Sequence, residues 1–162
     1  MNDDKLKEEY ESKINNEIAK FDINPFVIDQ NNRVLLAKRI STVQYGNHWH
    51  MPGGKVFIQE RIAGALGRMT KLKTNLDIEL YFKNFNDNVT GVYDDPNRDP
   101  REHVIGITFL CRHVSGNIEI GGNCSEVAFF DEKDALNLNL AFGHDYMLED
   151  AFNFLRSKGI KS

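Results

Sequence analysis

The stretch Trp49-His50-Met51-Pro52-Gly53-Gly54-Lys55-Val56, followed by Glu60 and then by Arg68, is the part of the sequence that decides the fold. Two adjacent glycines allow the backbone to bend tightly and to approach a ligand closely. The next segment, residues 60–74, has the length of a helix and contains no proline. The pattern therefore predicts a tight loop that leads directly into a helix.

Short apolar runs lie on both sides of this loop and helix. Residues 26–29 and 33–38 are separated by Gln30-Asn31-Asn32, a spacing that predicts a β-hairpin. Residues 145–158 have the spacing of a helix with one apolar side. Further strands are expected at 77–84, 88–93, 103–113 and 126–130, with one short strand within 115–122. The order of helices and strands predicts an α+β domain.

The N-terminal residues 3–20 are expected to form a helix on which Leu6, Tyr10, Ile14 and Ile18 make one apolar stripe. Two interpretations of the stripe stay open. The helix either packs on its own domain or serves as a dimerisation element, which would make the protein a homodimer.

Length and composition predict one domain over residues 1–162, with the helix at 1–20 followed by a core at 21–158. The net charge of -4 gives no basic excess, so nucleic acid is not an expected partner. Cys111 and Cys124 have no metal-binding or disulfide spacing and are expected to be reduced and inert. Neither a signal segment nor an apolar run of roughly 18 residues is present, so we expect a cytoplasmic protein that does not span a membrane.

The opening stretch resembles the box of the Nudix hydrolase family, written G-x5-E-x7-R-E-U-x-E-E-x-G-U with U an aliphatic residue. Gly54, Glu60 and Arg68 have this spacing. Upstream, residues 34–39 resemble the family's strand before the box. Downstream, residues 95–103 and 139–144 are similar to segments of the ADP-ribose hydrolase branch. The resemblance implies the Nudix fold, a mixed β-sheet sandwiched between helices.

Family members hold Mg²⁺ or Mn²⁺ with a loop carbonyl and three glutamates of the box helix. Such ions prefer oxygen ligands and neutralise a diphosphate while water attacks phosphorus. The corresponding residues here are Met69, Leu72 and Lys73. We therefore predict no metal-binding residues in this chain. Glu60 and Arg68 remain, and in the family they mainly pair with each other.

The GDP-mannose mannosyl hydrolases also have a degenerate box, with R-L-T where this chain has Arg68-Met69-Thr70. The two arginines that contact diphosphate in that branch match Arg39 and Lys55. Lys73 occupies the position of the one helix glutamate that this branch keeps. Its ammonium either contacts an anionic ligand in place of the metal or extends to water.

Residues outside the box supply the remaining candidates. His103 is a candidate general base, because the corresponding loop supplies a base in several branches of the family. Tyr45 is a candidate exposed platform for a nucleobase. His48 and His50 either bind a transition metal or make ordinary hydrogen bonds.

The expected function is hydrolysis of a nucleoside diphosphate linked to another moiety, either ADP-ribose-like or a nucleotide sugar. The activity is expected to be weak or atypical, because the helix ligands are missing. The alternative is a catalytically inactive nucleotide-binding sensor or a regulatory or structural protein. The predicted catalytic residues are Glu60, Arg68 and His103, and the predicted residues for a small-molecule nucleotide are Arg39, Tyr45, Gly53, Gly54, Lys55 and Lys73.

Overall fold

The helices and strands follow the order expected from the sequence in the computed structural model, which describes residues 3–14 and 18–161. The helices are α1 (Asp3–Lys13), α2 (Ile62–Thr74), α3 (Glu132–Leu136) and α4 (His144–Ser157). The strands are β1 (Lys20–Ile28), β2 (Val34–Arg39), β3 (Trp49–His50), β4 (Gly54–Lys55), β5 (Asp77–Leu80), β6 (Val89–Tyr93), β7 (Val104–Ser115) and β8 (Cys124–Phe130). No helix in this part of the chain is both long and apolar enough to cross a membrane.

Within the described residues, all the strands belong to one mixed sheet. Strand β1 lies at its centre, parallel to β7 from Lys20 beside Val104 to Ile28 beside Arg112. The predicted hairpin is confirmed, because β1 and β2 pair antiparallel with Ile28 opposite Val34. The last six residues of β1 are all buried, as expected for a strand covered on both faces.

Two apolar clusters lie on opposite faces of the sheet. Phe26 and Leu36 belong to the cluster that packs against α4, where the ring of Phe152 meets that of Phe26 edge to face at 5.0 Å. Val27 and Leu35 belong to the cluster that packs against α2. Alternate residues of each strand therefore face different helices. The predicted α+β arrangement of a sheet sandwiched between helices is confirmed.

The N-terminal helix is shorter than expected. It ends at Lys13, residues 15–17 of the predicted helix lie outside the described residues, and Lys20 already begins β1 by donating to the His103 carbonyl. Lys20 thus takes part in a tertiary strand pairing instead of the predicted helix. Leu6, Tyr10, Ile14 and Ile18 are all exposed, so the expectation that they pack on their own domain is wrong. The dimerisation element stays a prediction.

Two predicted strands also differ. The strand expected at 77–84 ends at Leu80, and a 3-10 turn over Phe85–Asn88 follows. The buried amide of Asn88 accepts from the Phe82 N–H and donates to the Phe82 carbonyl, which closes this segment into a turn. Strand β7 ends at Ser115, and residues 116–123 connect it to β8 without forming a strand. The prediction of a short separate strand within 115–122 is therefore wrong.

A cationic cavity as the candidate functional site

A cavity of about 470 Å³ lies where the glycine loop, α2 and the two long connections after β6 and α3 meet strand β1. Among the described residues that line it, cationic side chains outnumber carboxylates. The cations are Arg39, Lys55, Arg68, Lys73, Arg98 and Arg101, and the carboxylates are Asp22 and Asp99. A concave site of this volume is typical of small-molecule binding, and this one favours an anion.

The glycine loop lies directly on strand β1. A Cβ atom added to Gly53 would lie 2.0 Å from the Ile23 carbonyl oxygen, so only glycine allows this approach. Gly54 pairs with Ile23 in the sheet, and its Cα faces the side chain of Met69. The contact with β1 fixes the position of the Gly53 carbonyl at the cavity wall.

Glu60 and Arg68 are in direct contact, as expected. Arg68 donates from Nε to one Glu60 oxygen at 2.6 Å and from a terminal nitrogen to the other at 2.7 Å. The same guanidinium donates to the Lys55 carbonyl at 2.9 Å and lies 3.9 Å from the ring centre of Phe57. The Arg68 hydrogen bonds, with that of the Phe57 N–H, lower the pKa of Glu60 to about 2. This pair ties the loop after β4 to α2.

The ammonium group of Lys73 lies inside the protein, with the residue 8% exposed. Its Nζ donates to the Gly53 carbonyl at 2.8 Å and lies 3.4 Å from Nε2 of His50. Burial lowers its pKa to about 8. The alternative in which Lys73 extends to water is therefore wrong, and the side chain lines the cavity.

Two buried histidines complete the wall behind Lys73. Nδ1 of His50 lies 2.7 Å from the Ala37 carbonyl, so Nδ1 carries the proton and Nε2 presents a lone pair to Lys73. Nδ1 of His144 accepts from the Met51 N–H at 2.9 Å, so its proton is on Nε2. Burial keeps the pKa of His50 well below its ordinary value and lowers that of His144 to about 3. Both rings are therefore neutral at physiological pH.

The connection between β6 and β7 contributes two arginines. Arg98 donates to the Phe142 carbonyl at 3.1 Å and to the Val104 carbonyl at 2.9 Å, while its buried Nε has no partner within the described structure. Arg101 forms a two-point ion pair with the buried Asp99, with distances of 2.9 and 2.7 Å. Burial opposes ionisation of Asp99, but the hydrogen bonds from Arg101 outweigh it and lower the pKa of Asp99.

Three cavity cations have no carboxylate at ion-pair distance among residues 3–14 and 18–161. They are Arg39, Lys73 and Arg98, which we call the cation trio. Backbone carbonyls hold each of them, including that of Gln44, which accepts from Arg39 at 2.7 Å. Carbonyls orient a cation without neutralising it, and a charge without an ion-pair partner is costly where it is buried, as for Arg39 and Lys73. The trio therefore offers positive charge to an anion in the cavity.

The structure brings most of the predicted binding residues together. Arg39, Gly53, Gly54, Lys55 and Lys73 all line the cavity. Lys55 also pairs with Asp22 at 3.0 Å and with Glu102 at 2.9 Å; burial opposes its charge, but these contacts prevail and raise its pKa.

Tyr45 and His103 do not belong to the described wall of the cavity. The ring of Tyr45 packs edge-on against Phe142 at 4.7 Å, so the expected exposed platform is instead a support for a lining residue. His103 is exposed, and its Nε2 lies 3.2 Å from the Asp94 carbonyl. His48 hydrogen-bonds to the Gly46 carbonyl rather than pairing with His50.

Several lining residues were missed by the sequence analysis. Three of them, Arg98, Phe142 and His144, lie in the two segments after the box that resemble the ADP-ribose hydrolase branch. The spacing alone did not show which side chains of these segments point into the cavity. Asn24 is 6% exposed, and its buried Nδ2 has no partner among the described atoms. It lies on the apolar strand β1, where no local pattern distinguishes it.

No group of three or more His, Cys, Asp or Glu side chains within the described ranges is placed to hold a metal ion. Helix α2 contributes no acidic side chain at all, since its sequence is IAGALGRMTKLKT. The cations that line the cavity can bind an anion.

Comparison with known proteins shows which family this chain resembles. The NUDIX domain family matches residues 22–151. An ADP-ribose pyrophosphatase from Methanocaldococcus jannaschii is 32% identical over 124 residues, which cover 76% of this chain and 68% of that protein.

Solved structures show the same fold. The NUDIX domain of Shewanella oneidensis NrtR, crystallised with ADP ribose, aligns with a TM-score of 0.69 at 19% identity and covers 98% of this chain and 99% of that chain. A mutT/nudix family protein from Listeria innocua aligns with a TM-score of 0.66 at 28% identity, covering 86% of this chain and 96% of that chain.

Proposed function

Because this chain belongs to the NUDIX domain family, we propose that it binds a nucleoside diphosphate linked to another moiety, of the ADP-ribose type, and hydrolyses it weakly or by an atypical route. The M. jannaschii relative is an ADP-ribose pyrophosphatase, and the NrtR domain was crystallised with ADP ribose. The observation that carries the proposal is the cation trio in the cavity.

A diphosphate group is opposite to the trio in charge. Guanidinium groups bind phosphate through two parallel hydrogen bonds, and an ammonium adds a compact point charge. The unpartnered Nε of Arg98 and the buried Nδ2 of Asn24 are two further donors in the same wall. The rest of the cavity includes apolar side chains that suit a base or a sugar, namely Met51, Leu72 and Phe142.

Weak turnover is proposed because the wall contains few groups that could activate water. Asp99 is held in an ion pair with Arg101, and Asp22 lies 3.0 Å from the Lys55 ammonium. His144 presents an N–H rather than a lone pair, because its Nδ1 already accepts from the backbone. Loss of metal-held charge from the box helix should lower the rate by roughly 10³-fold or more relative to an intact box.

The same observations favour a second candidate, a sensor that binds the nucleotide without turnover. Donors and fixed cations favour binding, whereas hydrolysis additionally requires a base or a metal-bound water. The two functions share one ligand class and differ only in the chemical step.

A substrate panel tests the proposal. The protein is incubated with ADP-ribose, GDP-mannose, NADH and nucleoside triphosphates, with and without Mg²⁺ or Mn²⁺, and its melting temperature is measured with each compound. We expect a rise in melting temperature with ADP-ribose and slow or undetectable hydrolysis. Fast metal-dependent turnover would contradict the proposed weak activity, and no response to any nucleotide would contradict the proposed ligand class.

A further inference from the structure

The residues of the box helix do not fit a divalent metal ion, although family members generally use one. Mg²⁺ requires several oxygen ligands in near-octahedral geometry. Helix α2 offers no carboxylate, and the Gly53 carbonyl is already occupied by the Lys73 ammonium at 2.8 Å. A second positive charge placed beside Lys73 would also be repelled. The cation at this point of the cavity is part of the chain itself.

We propose that the Lys73 ammonium is the fixed cation that receives the diphosphate group of the ligand, so that binding needs no divalent metal ion. This inference rests on the proposed function, since it concerns how the same cavity recognises the same class of ligand.

Lys73 differs from an ordinary surface lysine because two acceptors fix its ammonium. One is the Gly53 carbonyl, which cannot move away because Gly53 lies directly against the backbone of β1. The other is Nε2 of His50, whose lone pair faces Lys73 because the Ala37 carbonyl holds the proton on Nδ1. An ammonium has three N–H donors. Two acceptors leave the third for a ligand in the cavity that Lys73 lines.

The environment of Lys73 strengthens its interaction with an anion. Burial lowers the pKa of Lys73, and Arg39 and Arg101 add to this lowering, whereas Cys124 and Asp22 oppose it. A bound diphosphate would relieve this repulsion between neighbouring cations. Because the ammonium is held before binding, little side-chain entropy is lost when the ligand arrives.

The first measurement uses the unmodified protein and ADP-ribose as the probe. Affinity is measured by titration calorimetry in excess EDTA and again in excess Mg²⁺. We expect affinities within about twofold of each other, because the chain supplies the charge. Binding that occurs only with Mg²⁺ or Mn²⁺ would overturn the inference while leaving the proposed ligand class intact.

The second measurement compares Lys73→Met with Lys71→Met. Lys71 is a matched control, since it lies on the same helix but is exposed and pairs with Asp77 outside the cavity. A hydrogen bond to a charged group is worth on the order of 10- to 100-fold in binding. We therefore expect Lys73→Met to weaken ADP-ribose binding by at least about tenfold in EDTA, and Lys71→Met to leave it unchanged.

The outcomes separate the two proposals. Melting curves first establish that both variants are folded. If Lys73→Met then binds ADP-ribose as well as the wild type does, the role of Lys73 is overturned but the proposed function is not. Absence of ADP-ribose binding by the wild type under every condition would overturn both. Equal melting shifts with inorganic pyrophosphate in EDTA and in Mg²⁺ would support the inference without depending on the nucleoside.

Discussion

A lysine that is buried to this extent normally contacts a carboxylate, but Lys73 contacts a backbone carbonyl and a neutral imidazole. These partners accept hydrogen bonds without cancelling the charge. After burial, the titratable groups that influence the pKa of Lys73 are Cys124 on β8, Arg39 on β2, Asp22 on β1 and Arg101 on the connection before β7. The folded protein therefore carries an electrostatic cost at this residue.

Replacement of Lys73 by methionine should stabilise the protein near neutral pH. The pKa of Lys73 is about 8 in the folded protein and near its ordinary value of 10.5 when unfolded. Below pH 8 both states are protonated and the full cost is present. The folded state releases its proton first, so wild-type stability rises relative to Lys73→Met between about pH 8 and 10.5.

The expected gain for Lys73→Met at pH 7 is on the order of 2 kcal/mol, because part of the relieved cost is offset by the lost hydrogen bond to Gly53. It is measured by urea denaturation of both proteins at several pH values. A difference that does not shrink above pH 8 would contradict the pKa assignment.

Glu60 should contribute to stability through Arg68 and through the loop backbone. Its pKa is about 2 when folded against an ordinary 4.5, so its contribution is present above pH 4.5 and is lost as the pH falls through 2. We expect Glu60→Gln to lower the melting temperature at pH 7. The control is Glu79→Gln, which breaks an exposed pair with Arg112 between neighbouring strands. A larger loss for the control would indicate that the Glu60–Arg68 pair does not brace the loop.

At the scale of single elements, alanine substitutions at two glycines are expected to change stability in opposite directions. A Cβ atom at Gly64 on helix α2 would meet nothing within 4 Å, whereas one at Gly53 would collide with the Ile23 carbonyl oxygen. We expect Gly64→Ala to raise stability by roughly 1 kcal/mol through helix propensity. Gly53→Ala should lower stability by about 1–3 kcal/mol and weaken ADP-ribose binding. Denaturation curves of both variants check this contrast.

The cavity-facing residues of helix α2 can also be tested as a set. We expect the triple variant Met69→Glu, Leu72→Glu, Lys73→Glu to gain a melting-temperature increase with Mg²⁺ or Mn²⁺ that the wild type lacks, because carboxylates would then face the Gly53 carbonyl. The control is the double variant Arg61→Glu, Lys71→Glu. It changes the net charge by the same amount as the triple variant, but at two exposed residues of the same segment. An equal metal response in both variants, or none in a folded triple variant, would contradict the assignment of these positions.

At the scale of the whole molecule, an acidic protein encloses a cationic site. The chain has a net charge of -4, so long-range electrostatics do not attract an anion, and the local trio must do so. We expect ADP-ribose affinity to fall several-fold when NaCl rises from about 50 to about 500 mM, because salt screens the accessible part of the site. Calorimetry at several ionic strengths checks this. Affinity independent of salt would indicate that apolar contacts dominate binding.

The sequence by itself determined the fold and predicted where the candidate site lies. Gly54, Glu60 and Arg68 at family spacing, with strand-like segments on both sides, predicted the Nudix fold, and the comparisons confirm it. These features are local: glycine allows a tight bend, and side-chain periodicity reports which face is buried. The resemblance to the family also predicted that Met69, Leu72 and Lys73 stand where the family has glutamates.

Only the tertiary structure decided where the ammonium of Lys73 lies. The local pattern allowed either contact with a ligand or extension to water, and the choice depends on Gly53 and His50, which lie twenty or more residues away along the chain. It likewise placed Arg98 in the cavity and left His103 outside it. Hydrogen-bond partners and burial are set by contacts across the sheet, so composition and spacing could name the residues but could not assign their partners.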